Sequence, residues 1–228
     1  MHMEPGIVDI SKIVLSYVTA SACALYAAKL SLDHIRQESA ISLMLRSALA
    51  AVLVFVFFEV FPHVPIGVSE VHLILGSSLF LILGAAPTAI GLAAGLALQS
   101  LFFEPQDLPQ YGMNVTTLLA ALFALQTVAK RLLPTNLAYV DLGYRHVFKM
   151  SVVFQGGIVA WVAFWTIYGR GVGAETLQSI GTFGAAYMTV VLLEPLINLG
   201  LLAIAKWLRA GAEAGDSLLL TQRLHHGV

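Results

Sequence analysis

Apolar residues run through this chain in stretches of roughly 20, the length a helix rising about 1.5 Å per residue needs to cross about 30 Å of hydrocarbon. Seven such stretches are expected to form helices, at 8–28, 41–61, 70–84, 86–103, 114–130, 148–168 and 177–208. The third and fourth are short and joined only by Ala85, ahead of Pro87. They form either a tight hairpin or a broken helix pair at membrane depth, which survives only where protein or a cavity surrounds it. Alternating segments of about ten residues, the mark of an outer-membrane barrel, are absent. Small residues at helical spacing mark close packing faces at Ser16, Ala20, Ala24 and Ala28 and at Gly91 with Gly95, which pack either inside the bundle or against a partner subunit, the internal reading being favoured for the Gly91–Gly95 pair. The pattern predicts an all-α membrane protein, a bundle of about seven transmembrane helices.

Charge orients the bundle. With the N-terminus outside and the C-terminus cytoplasmic, all 12 Lys and Arg residues except Lys12 and Arg170 fall at cytoplasmic ends and loops. The opposite segments carry Glu4, Asp9, Glu59, Glu70, Glu104, Asp107 and Glu175. Composition agrees: 58% of residues are hydrophobic and 11% charged, against about 45–50% and about 25% in soluble domains. A net charge of −1 leaves no basic block for nucleic acid and no signature of disorder. Cys23, the single cysteine, has no intrachain partner. The first eleven residues lack Lys and Arg, so no signal peptide is read and the mature chain is expected to begin at Met1. Residues 1–208 are read as one transmembrane domain and 209–228 as a cytoplasmic tail that docks on something. No internal repeat of the kind found in many secondary transporters is present.

Topology sorts the seven histidines. His34, His146, His225 and His226 lie on the cytoplasmic side, whereas His2, His63 and His72 converge on the outer face, as a metal site would require. His2 is the sharpest of these, because a histidine in second position offers the Met1 amine, its own backbone nitrogen and its imidazole to one ion. A fourth nitrogen would complete a square-planar site suited to Ni(II) or Cu(II). The bland alternative is that the residue after the initiator follows start context alone. His72 is expected to open an apolar helix after a Gly-containing turn, capped by Ser69 with Glu70. Its bland alternative is an interfacial anchor. His63, beside Pro62, reads mainly as a surface residue with an accessory role as the minority view.

Glu194 stands near the middle of the last stretch, beside Pro195 and a turn before Asn198. An intramembrane carboxylate points to a proton or ion path. The competing reading is that it satisfies backbone groups freed on a neighbouring helix, and it is not taken as a ligand. Gln99, Gln126 and Gln155 are expected to make interhelical hydrogen bonds.

Three segments resemble the CbiM/NikM substrate-binding proteins of energy-coupling factor transporters for cobalt and nickel, over most of the chain through about Lys130. MHMEPGIVD is similar to the family's Met-His opening, with Met3 in place of the commoner Ile. VPIGVSEVHLILG resembles its Gly-x-Ser…His-Leu-x-x-Gly segment at His72 and Gly76, with one extra residue before the histidine. QYGMNVTTLL looks like its Leu-Gly-Ala-Asn segment at Gly112 and Asn114. The resemblance implies that the metal ligands are the Met1 amine, the His2 backbone nitrogen and imidazole, and the His72 imidazole. It places Asn114 beside the bound N-terminus, where a fixed hydrogen-bond partner orients ligands; its other reading is an N-cap of the fifth helix. Pro5 stiffens the N-terminal segment and Gly6 permits a sharp turn, so that it plugs back into the bundle. Because these ligands bind deprotonated, affinity should fall as pH drops below about 7.7–8.0 for the amine and about 6.5 for the imidazole.

No Walker A motif is present, so ATP hydrolysis cannot come from this chain. The resemblance implies high-affinity capture of transported Ni²⁺ or Co²⁺ with no resident cofactor. It also implies a transmembrane coupling subunit, cytoplasmic ATPases and a small accessory membrane protein as partners in a bacterial plasma membrane. The rivals are an intramembrane metal-dependent enzyme, holding zinc with His63, His72 and a carboxylate, and a scaffold subunit without metal. The enzyme is disfavoured by the lack of HExxH or a comparable pairing on one helix face.

Overall fold

A computed structural model of the chain describes residues 7–9, 12–134, 136–210 and 218–226. In order these form α1 (Val14–Gln37), α2 (Ala40–Phe55), β1 (Val64–Ile66), β2 (Ser69–Val71), α3 (Gly76–Leu83), α4 (Ala85–Phe102), α5 (Tyr111–Leu132), α6 (Tyr144–Arg170), α7 (Ala174–Tyr187) and α8 (Val190–Ala210). α2 starts where Ser39 accepts a hydrogen bond from the Ser42 backbone N–H at 3.0 Å, an ordinary serine cap. It continues through a π-turn at Val56–Val60.

Six stretches among the described residues are long and apolar enough to cross a membrane: α1, α2 with its π-turn, α4, α5 with the 3₁₀ turn before it, α6, and α7 with α8. The all-α membrane bundle is therefore as expected, with α3 standing third among seven helical segments. α3 corrects the expected 70–84 helix. Only Gly76–Leu83 is helical, and eight residues cover about 12 Å, too little to span a bilayer. A continuous apolar run does not distinguish a buried strand from a buried helix, and here the first part of the run pairs as a strand. Gly84, at φ +92, ends α3 and breaks the chain before α4. Pro87 then sits in the first turn of α4, where its missing N–H has no intrahelical partner to lose. α3 is buried at every residue but Ile82, which is the condition for non-spanning backbone inside a membrane protein.

Close packing explains the glycine pair in α4. A Cβ at Gly91 would lie 2.2 Å from the Ala50 Cβ, and one at Gly95 2.6 Å from Val54 Cγ1, so α2 and α4 touch through these two positions. The α1 stripe behaves differently: Ser16 is buried, but Ala24 and Ala28 are exposed and line a groove of about 580 Å³ shared with α4 and α5. The last expected stretch, 177–208, is divided at Met188–Thr189 into α7 and α8. The described part of the tail folds back on the bundle. Thr221 donates its N–H to the Ile82 carbonyl at 2.9 Å, Leu224 is fully buried, and the Arg223 guanidinium lies 5.0 Å over the Tyr139 ring. The expected docking partner of this segment is thus the chain's own helices.

Candidate metal centre

The hairpin between α2 and α3 builds the site. β1 and β2 pair antiparallel with Val64 opposite Val71, Pro65 opposite Glu70 and Ile66 opposite Ser69, leaving Gly67 and Val68 as a two-residue turn. Gly67 has φ +69 while no other residue of the turn has positive φ, the pattern of a type II′ turn with glycine first. Continuing the register by one step places His63 opposite His72. Their rings stack at 4.9 Å between centroids with 12° between planes. Glu70 and His72 are two residues apart on extended chain and so share a face; the Glu70 Oε2 lies 3.5 Å from the His72 Nε2.

The ligand atoms of His63, Glu70 and His72 all lie within 4.8 Å of one another. Bonds of about 2.0–2.1 Å to one ion require neighbouring ligand atoms about 3 Å apart, so the three must draw together to bind jointly. His72 is wholly buried, with Phe58 edge-on at 5.0 Å, whereas His63 is exposed and Glu70 half-buried. The arrangement is a buried imidazole approached from the surface past a second imidazole and a carboxylate.

Met1 and His2 lie outside the described residues. For the described ones the geometry revises several expectations. His72 does not open a helix: it follows β2 and precedes α3 by four residues. Ser69 and Glu70 are strand residues rather than a helix cap, with Ser69 fully buried. Asn114 is buried in the first turn of α5 and does not cap it, because that helix begins at Tyr111 and Gln110 holds the cap position. The histidine–histidine–carboxylate grouping that the enzyme alternative needed is present, but it arises from a hairpin rather than a helix face.

At the start of α3 lies a polar network that the sequence showed only in part. The Glu194 carboxylate accepts from the Ser77 backbone N–H at 3.0 Å, the Ser77 hydroxyl at 2.8 Å, the Ser151 hydroxyl at 2.5 Å and the Gln155 amide at 2.9 Å. Asn198 donates to the Ser77 Oγ at 2.9 Å and accepts from the Ser78 Oγ at 2.5 Å. One of these four bonds satisfies the backbone of a neighbouring helix, as the second reading of Glu194 expects, and the other three come from side chains. Gln155 makes the expected interhelical bonds, and Gln126 accepts one from the Tyr26 hydroxyl at 3.4 Å. Ser77, Ser78 and Ser151 were missed. Their signal was three hydroxyls inside apolar runs, in a chain where Glu194 and Asn198 share a helix face at i, i+4.

A family model described as the cobalt uptake substrate-specific transmembrane region, CbiM, matches residues 2–211. The chain belongs to the CbiM family. As a CbiM protein it is a membrane protein of transition-metal uptake and not an enzyme, which removes the catalytic reading of the hairpin cluster. Two solved structures share the CbiM chain's fold. One, described as a truncated transition metal transporter, aligns with a TM-score of 0.66 and 18% identity over 93% of this chain and 100% of the other. The second, described as a transition metal transporter, aligns with a TM-score of 0.66 and 18% identity over 92% and 93%. No curated protein matches the chain in sequence.

Proposed function

We propose that this CbiM protein captures Ni(II) or Co(II) at the membrane face that carries the 63–72 hairpin and passes the ion inward as the substrate-binding subunit of an ATP-driven energy-coupling factor transporter. His72 is the ligand supplied by the bundle, and the Met1 amine with the His2 backbone nitrogen and imidazole supplies the other three nitrogens. His63 and Glu70 stand on the approach and hand the ion to His72. Asn114 holds the N-terminal segment. The excess of basic residues on the opposite side supports a hairpin face turned outward, and a transmembrane coupling subunit with cytoplasmic ATPases provides the energy that this chain has no nucleotide motif to supply. The observation that carries this reading is the fully buried imidazole of His72 grouped with His63 and Glu70 in a chain of a cobalt-uptake family.

The hairpin cluster also supports a second reading, in which His63, Glu70 and His72 alone hold the ion. Titration of Ni(II) and Co(II) into the purified chain separates the two. Inserting one alanine between Met1 and His2 should abolish tight binding, as should His72→Ala, while His63→Ala and Glu70→Gln should slow loading and leave affinity within about tenfold. Retained affinity in the insertion variant, with loss in His63→Ala, would assign the site to the hairpin instead. The ion bound more tightly, read against its availability, identifies the cargo, because Cu(II) outcompetes both in the usual divalent order.

A further inference from the structure

We propose that Glu194 is a positioning residue of the metal site: from α8 its carboxylate caps the buried helix α3 and, through Gln155, clamps the four-residue link that carries His72 into that helix. The proposal rests on the reading of His72 as a metal ligand.

α3 begins without help from its own sequence, since Leu75 occupies the cap position and supplies no side-chain hydrogen bond. Backbone N–H groups at a helix start have no intrahelical acceptor, and inside a membrane protein no bulk water replaces it. Glu194 Oε1 fills that role from another helix, taking both the backbone N–H and the hydroxyl of Ser77. A carboxylate at this end also complements the helix dipole. One turn further along α8, Asn198 engages the Ser77 and Ser78 hydroxyls. α8 thus grips the first turn of α3 with two residues.

The same carboxylate reaches the link itself. Gln155 donates from one amide nitrogen to Glu194 Oε2 and to the Ile74 carbonyl, each at 2.9 Å. The Ile74 N–H in turn donates to the His72 carbonyl at 3.0 Å. An unbroken hydrogen-bond path therefore runs from Glu194 through Gln155 and Ile74 to the backbone of His72. Each oxygen of Glu194 takes two donors, the acceptor capacity of a carboxylate, so the group is an anchor and not a spare ligand. A ligand must be held to within about 0.5 Å of its productive position, which the α3 link achieves only while its anchor is intact.

The test uses the purified full chain without N-terminal extension. Ni(II) is titrated calorimetrically into wild type, Glu194→Gln and His72→Ala, and the ligand-field spectrum of the bound ion is recorded. Glu194→Gln turns an acceptor into a donor opposite Ser151 and Gln155, and is expected to bind one ion per chain about tenfold more weakly, with a shifted spectrum. Affinity within about twofold of wild type and an unchanged spectrum would overturn the proposal. So would a reduced number of sites with wild-type affinity and spectrum, which is what mere loss of folded protein produces. Should Glu194→Gln fail to fold, Gln155→Met, which removes the arm to Ile74, is judged by the same two criteria. Wild-type binding by His72→Ala would instead sink the ligand reading itself, whatever the other variants do.

Discussion

α1 and α3 are opposites within one bundle. α1 has 24 residues and buries only Ser16, whereas α3 has eight and exposes little beyond Ile82. The long helix is a membrane span by hydropathy alone, its apolar side chains turned outward. The short one is too small to span and exists because other helices satisfy it: its serines meet Glu194 and Asn198, and its last turn receives the Thr221 N–H. The contrast teaches that length and hydropathy report exposure to lipid, whereas the segment next to the candidate metal centre is defined by partners distant in sequence. Water does not drive helices together in a bilayer, so close packing and hydrogen bonds carry that definition.

A matched pair of substitutions is the strongest way to break this contrast. Leu81 is 1% exposed and Leu25 74%. Leu81→Ala should lower stability by about 2–4 kcal/mol through the cavity it leaves, while Leu25→Ala should cost less than about 0.5 kcal/mol. Thermal unfolding of the two variants in the same detergent reads the difference, and equal costs would show that α3 is not held by packing.

Gly67→Ala probes the hairpin that leads into α3. The left-handed φ of +69 is unfavourable to alanine, and the added Cβ would lie 2.5 Å from the Ser179 carbonyl oxygen in α7. A cost of about 1–2 kcal/mol is expected, together with weaker Ni(II) binding because the His63–His72 register must shift; unfolding and metal titration on one sample would show whether the two losses travel together.

The smallest effect sharpens the comparison at the other end of α3. Thr221 has φ −65, which proline adopts without strain, so Thr221→Pro removes little beyond the N–H donated to Ile82. Stability should fall by about 1 kcal/mol and proteolysis should reach residues 218–226 faster, with metal affinity preserved. A loss of affinity as large as that of Glu194→Gln would mean that the tail, and not α8 alone, sets the site.

Much of the candidate site was legible from residues alone. His72 and His63 were singled out by type and by the membrane side expected of them, Glu70 chiefly as half of a helix cap, and the structure brings all three together. The arrangement that does so was not legible. The run around His72 is apolar enough to pass for a helix, and only the pairing of Val64 with Val71 reveals a strand. Ser69 and Glu70 accordingly passed for a cap, and Asn114 for an N-cap, because capping preferences are local and the elements that override them are not.

The sequence by itself determined the membrane class, the order of the helical segments, the polar residue types available in the interior and the family likeness. These follow from composition, local hydropathy and short motifs, all of which are properties of neighbouring residues. Tertiary structure alone decided that the third segment divides into a hairpin and a buried half-helix, that His63 faces His72, and that Glu194 caps a helix 117 residues earlier in the chain. The physical reason is that an unpaired polar group at membrane depth is satisfied wherever a partner can reach it, and that partner is chosen by packing rather than by sequence distance.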